Sequence, residues 1–209
     1  MAQCLDSLNR LGNLFELEFN IDRDKLREEI EGYPEGWRIF NPSQTQWLLS
    51  GISLVSLDGG FTGAADLMPL SEYFARHQER LQEMDFRVVT PALLACKSLR
   101  EWFDYFHEWL ARTYVLRFTC GSYFPPHREN VAGDEMFQLI IPFGNMTESN
   151  SVFIYGEERV ILQSGTVYFV NPRIRHSMFS FAENVYLLKA NVIANEASCH
   201  ALRRRMVER

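Results

Sequence analysis

The chain has few of the residues that announce the commonest functional classes. Its four cysteines (Cys4, Cys96, Cys120 and Cys199) are scattered and form no CxxC pair. That argues against a disulfide framework and for reduced thiols in a cytoplasmic protein. No apolar run reaches the ~18 residues that a membrane span needs. Positive charge is in the minority, with 21 Lys and Arg against 27 Asp and Glu and a net charge of −6. A partner held by phosphate neutralisation, nucleic acid above all, is therefore not expected. The start, Met1-Ala2-Gln3-Cys4-Leu5-Asp6, shows no basic, apolar leader pattern. Gly-rich phosphate loops, GxSxG and HExxH are all missing, which removes NTPase, serine-hydrolase and zincin chemistry.

What remains is a globular composition, 46% hydrophobic and 23% charged over 209 residues, divided by pattern into two parts. Residues 1–112 carry mainly helical periodicity. Asp22 can cap a helix over residues 23–30, with Leu26 and Ile30 on one face. Pro69 opens a second helix with Leu70, Tyr73, Phe74 and His77 on one side, and a third runs from about Ser98 to Arg112. Ile52 to Leu57, followed by Asp58-Gly59-Gly60, reads as a strand entering a turn. Residues 113–193 differ: seven short β-rich runs begin at Tyr114, Phe137, Val152, Arg159, Thr166, Ser177 and Val185, with Gly, Pro and Asn separators between them. That spacing predicts an antiparallel sandwich or barrel. Residues 194–209 read as a C-terminal helix or tail, its Arg203-Arg204-Arg205 suited to a helix end.

The chemistry-bearing pattern is His127-Arg128-Glu129 with His176 further on. In extended chain, residues i and i+2 point the same way, so His127 and Glu129 can converge. His176 follows Asn171-Pro172 at the opening of another strand, and Asn171 is placed to orient it. Two imidazoles and one carboxylate on one face of an octahedral ion form the donor set that suits non-haem Fe(II).

Tyr123-Phe124-Pro125-Pro126-His127-Arg128-Glu129-Asn130, taken with Ser164 to Asn171 and Arg175-His176-Ser177, resembles the two metal-ligand segments of the aspartyl/asparaginyl β-hydroxylase-like group of Fe(II)- and 2-oxoglutarate-dependent dioxygenases. The resemblance covers roughly residues 113–193. Aspartyl β-hydroxylases tend to have Gly two residues after the first His. Glu129 departs from that, restoring the carboxylate of the wider superfamily and speaking against halogenation.

The resemblance implies a mainly β fold, a double-stranded β-helix (jelly roll, cupin-like) with helices packed on it. It also implies Fe(II) and 2-oxoglutarate as cofactors, O2 as co-reactant, and hydroxylation of an amino acid, peptidyl residue or small metabolite with release of succinate and CO2. A cation must then hold the distal carboxylate of 2-oxoglutarate. Lys189, on the last predicted strand, and Arg117, on the first, compete for that role, and Gln138 can donate to the metal-proximal carboxylate. Arg173 and Arg175 flank His176 and can grip an acidic substrate, while Trp37, Arg38, Asn41 and Asp58 are expected in the substrate wall. Two alternatives stand beside this: a cupin-type metalloenzyme without 2-oxoglutarate, and a non-enzymatic jelly-roll binding module.

Overall fold

A computed structural model describes residues 2–33, 36–60, 63–129 and 136–207; Asn130, which closes the first ligand segment, lies outside them. In chain order the elements are α1 (Ala2–Asn9), β1 (Leu14–Leu17), α2 (Arg23–Glu31), β2 (Arg38–Ile39), β3 (Leu49–Ser56), α3 (Leu70–His77), β4 (Val88–Val89), α4 (Pro91–Ala95) and α5 (Arg100–Phe106). Then come β5 (Leu110–Phe118), β6 (Tyr123–His127), β7 (Met136–Gly144), β8 (Ser151–Tyr155), β9 (Glu158–Val160), β10 (Val167–Val170), β11 (His176–Ser180), β12 (Val185–Ile193) and α6 (Glu196–Arg203).

The strands form two antiparallel sheets. The larger has the order β1-β10-β7-β12-β5-β3-β2, with β4 added beside β3; the smaller has the order β6-β11-β8-β9. From β5 onward the chain passes repeatedly between the two, which is the winding of a double-stranded β-helix. The fold is thus mainly β, as expected.

The sequence explains the layering. Strands β5, β7 and β12 are buried along nearly their whole length. Such strands must be covered on both faces. On one face Val115, Leu139, Phe169 and Leu188 meet helix residues Leu26, Ile30, Trp102 and Phe106. On the other, Tyr114, Leu116, Ile140, Tyr168 and Leu187 meet Phe153, Tyr155 and Met178 of the smaller sheet. Helix α2 begins as its sequence predicts, with Asp22 accepting from the Lys25 amide at 3.1 Å.

Two expectations need correction. The first half is not simply helical: β1, β2, β3 and β4 all join the larger sheet, and β3 pairs directly with β5. The helix expected to reach Arg112 ends at Phe106, because the chain turns there to enter β5 at Leu110. Leu99, Trp102 and Phe106 still bury the expected face.

Gly144 closes β7 with φ +72°, and a Cβ there would lie 2.5 Å from both the Asn184 carbonyl and the Tyr186 ring. Gly144→Ala is therefore expected to cost about 1–3 kcal/mol. Urea unfolding checks this, and unchanged stability would show that the turn relaxes freely.

The outer edge of β1 is covered by the end of the chain. Leu17 bridges Met206, the Glu18 amide donates to Arg205 O at 2.6 Å, and the Val207 amide donates to Glu16 O at 3.2 Å.

Candidate metal centre

His127 is the last residue of β6 and His176 the first of β11, and the two are direct cross-strand partners in the smaller sheet. A register shift follows between His176 and Met178. Irregularities of this kind re-aim side chains at strand ends. Glu129, two residues past His127, is fixed by its amide, which donates to Pro172 O at 2.9 Å in the turn that leads to His176. The ligand atoms of His127, Glu129 and His176 all lie within 4.8 Å of one another. The two imidazole centroids are 4.3 Å apart.

Both rings are held alike. His127 Nδ1 lies 2.8 Å from Pro125 O, and His176 Nδ1 lies 2.9 Å from Ile174 O. A carbonyl only accepts, so each Nδ1 carries a proton and each Nε2 is turned toward the centre. His127 Nε2 is buried and has no hydrogen-bond partner among the described residues. It faces Glu129 Oε1 at 3.6 Å. A cation seated between them, whether a proton on the ring or a metal ion, satisfies both, and a half-buried N, N, O set suits a first-row divalent metal.

Asn171 acts on His176 through the backbone. Its Oδ1 accepts from the Arg173 amide at 3.1 Å and its carbonyl from the Ile174 amide at 3.2 Å. That shapes the turn whose Ile174 carbonyl holds the ring. Tyr155 OH reaches the same turn, 3.0 Å from Asn171 O.

Burial lowers the pKa of His176 to about 4, helped by the nearby His127 and Lys189 and opposed by the Ile174 carbonyl and Glu129. Its ring is neutral at pH 7, the form that binds metal. For Glu129, burial pushes the carboxyl upward, but the attraction of Lys189 and His127 wins and holds it well below the usual carboxylate range.

Lys189 lies on the inner face of β12, buried, with its ammonium donating to Glu129 Oε1 and 5.7 Å from the centre of the Tyr114 ring. It is thus in the site, paired with the carboxylate of the candidate centre. Gln138 is also inside and donates to Asn191 Oδ1 at 3.1 Å, and Asn191 donates in turn to Glu83 Oε2 at 2.7 Å. Phe124 stands edge-on to His127 at 4.3 Å, and Phe40 packs against both Phe124 and Tyr114, forming an aromatic wall.

Arg117 is a correction. It pairs with Tyr186 across the strands and lies on the helix-covered face, 4.7 Å over the Trp37 ring and 3.2 Å from Ser50 Oγ. Strand alternation puts Tyr114, Leu116 and Phe118 inside and Arg117 outside. Trp37 is removed from the substrate wall by the same contact. Asn41 is a second correction. It is buried with φ +52°, and its amide is committed to Ser43 and, at 2.6 Å, to Glu72. Asp58 is used by the Gly60 amide at 2.8 Å. Arg38, Arg173 and Arg175 are exposed. The last two flank His176 with no side-chain partner among the described residues.

One inner-face residue was missed. Arg112 is 3% exposed and grips Glu83 with Nε and Nη2, while Nη1 donates to Met68 O at 2.8 Å and Ala65 O at 3.2 Å. Helical periodicity placed it at a helix end. Its i, i+2 spacing with Tyr114, Leu116 and Phe118 puts it on the inner face of β5.

Fold and cluster together define a double-stranded β-helix with a two-histidine, one-carboxylate centre between its sheets. A scan against protein-family models found no match, and a search of curated proteins found none either. Among solved structures, the chain is similar to a 2OG-Fe(II) oxygenase family oxidoreductase from Burkholderia pseudomallei. The identity is 14% and the TM-score 0.50, covering 93% of this chain and 90% of that one. It also matches a predicted oxalate decarboxylase from Thermotoga maritima, with 15% identity and TM-score 0.34 over 44% of this chain and 73% of that one. An RmlC-like cupin from Desulfovibrio desulfuricans matches with 17% identity and TM-score 0.32 over 41% and 73%. The likeness is one of fold. It does not single out the aspartyl/asparaginyl β-hydroxylase-like group. No helix among the described residues is long and apolar enough to cross a membrane.

Proposed function

We propose that this protein is an Fe(II)- and 2-oxoglutarate-dependent oxygenase that hydroxylates an amino acid, peptidyl residue or small metabolite. His127, Glu129 and His176 hold the iron, and Lys189 takes the distal carboxylate of 2-oxoglutarate. The observation that carries this reading is the convergence of the three donors with a buried, unpartnered imidazole nitrogen at their centre. Bound there, iron and 2-oxoglutarate with O2 supply the oxidising power, releasing succinate and CO2.

The chain itself positions and shields. The Pro125 and Ile174 carbonyls fix both imidazoles in the ligating tautomer. Phe40, Phe124 and Tyr114 keep water from one side of the centre. Gln138 and Asn191 offer buried amides for a carboxylate or a substrate polar group. Arg173 and Arg175 are placed outside, where they meet an acidic substrate before it enters.

One contact favours a second reading. Lys189 already has an anionic partner in Glu129, so a cupin-type metalloenzyme that uses no 2-oxoglutarate leaves no buried cation unpaired. Anaerobic titration with Fe(II) and then 2-oxoglutarate separates the two. A weak visible charge-transfer band that needs both additions is the expected result. Iron binding without the band would favour the cupin-type reading, and no metal binding would leave a jelly-roll binding module.

A further inference from the structure

The Lys189 ammonium and a metal need the same carboxylate. Lys189 donates to Glu129 Oε1, the oxygen that also lies 3.6 Å from His127 Nε2. Its side chain is 6% exposed, so the charge is poorly hydrated while it stays on Glu129. A dication seated among His127, Glu129 and His176 would therefore share its carboxylate with a fixed positive charge in a half-buried site.

We propose that Lys189 is a latch on Glu129: without a dicarboxylate it weakens metal binding, and a distal carboxylate that draws Lys189 away releases Glu129 to the metal. This rests on the function proposed above and concerns how the site is loaded. The geometry supports an exchange of partners. Lys189 extends from the middle of β12, whereas Glu129 lies beyond the end of β6 and is held by its amide on Pro172 in the turn between β10 and β11. The ion pair thus spans the two sheets, and a carboxylate lying over Tyr114 and Gln138, both inner-face neighbours of β12, can replace Glu129 as the partner of Lys189. Metal and dicarboxylate then raise each other's affinity by the same factor, as linkage requires.

Chelation of the metal by 2-oxoglutarate would also couple the two, so the test uses metal alone and then glutarate, which keeps both carboxylates and lacks the oxo group. Co(II) is titrated at pH 8 by calorimetry and visible absorption into the wild type, Lys189→Met, Lys189→Gln and the charge-keeping Lys189→Arg. The expected result is that both neutral variants bind Co(II) about tenfold tighter than the wild type. Glutarate should tighten Co(II) binding in the wild type and Lys189→Arg but not in the neutral variants. Equal Co(II) affinity in the wild type and a folded neutral variant would overturn the latch while leaving the metal site standing. Absence of Co(II) binding in every form would overturn the metal site, and the latch with it.

Discussion

Replacing His176 with Ala is expected to lower Fe(II) or Co(II) affinity far beyond the roughly 10–100-fold that follows loss of a residue supporting a ligand. In the proposed centre the imidazole supplies one of three protein donors, and no other His, Cys or carboxylate among the described residues joins that cluster. Its ring is already aimed, with Nδ1 spent on Ile174 O and the ring 4.3 Å from His127. Little reorganisation is left for the metal to drive, so nothing compensates when the ring is gone. The fold should survive, because His176 opens β11 and its backbone pairing with His127 and Tyr155 needs no side chain. His127→Ala should behave likewise, with an added packing loss where Phe124 rests on the ring. Anaerobic titration of the purified variants settles the matter: wild-type affinity in His176→Ala would remove the residue from the site.

The metal-free protein should lose about 3 kcal/mol of stability as the pH falls from 6.5 to 4. His176 is 7% exposed, and its pKa falls from 6.5 to about 4 on folding, chiefly because burial disfavours the charged ring. Between those values the unfolded chain binds a proton that the folded chain refuses, so stability rises with pH across the window. Below 4 both states are protonated and this contribution no longer changes. Glu129 adds a slope of the same sign at lower pH. Its folded pKa lies well below 4.5, so its contribution, complete above 4.5, drains away as the pH drops further. Urea unfolding in the presence of a chelator, repeated from pH 7.5 to 4, measures the slope. His176→Phe should flatten the upper part of the curve, and an unchanged slope in that variant would assign the effect to another group. Adding metal should steepen the wild-type dependence, since ligation requires the neutral ring.

Much of the barrel was legible because its strands are short, apolar and separated by residues that turn. All seven expected runs are strands, within a few residues at their ends. The eighth, β6, was hidden by Pro125-Pro126, which read as a break. It is an edge strand of the smaller sheet, where missing amides are tolerated. His127 and Glu129 were readable as a converging pair because alternation in extended chain is local. The face occupied by Arg117 was not, since β5 is buried on both sides and its apolar residues show no contrast between inside and outside. The partner of Lys189 was equally invisible: that Glu129 meets it depends on how two sheets are stacked. Strands β1, β2 and β4 are 4, 2 and 2 residues long, too short to carry a period of their own.

The clasp formed by Arg205, Met206 and Val207 over β1 has a consequence for how copies of this protein meet one another. An uncovered border of an eight-stranded sheet offers a row of idle amides and carbonyls on which a neighbouring molecule can continue the ladder. Here those groups on Glu16 and Glu18 are taken by the molecule's own last turn. Sheet growth by strand addition is blocked on that side, and the chain acts as its own guard against end-to-end polymerisation.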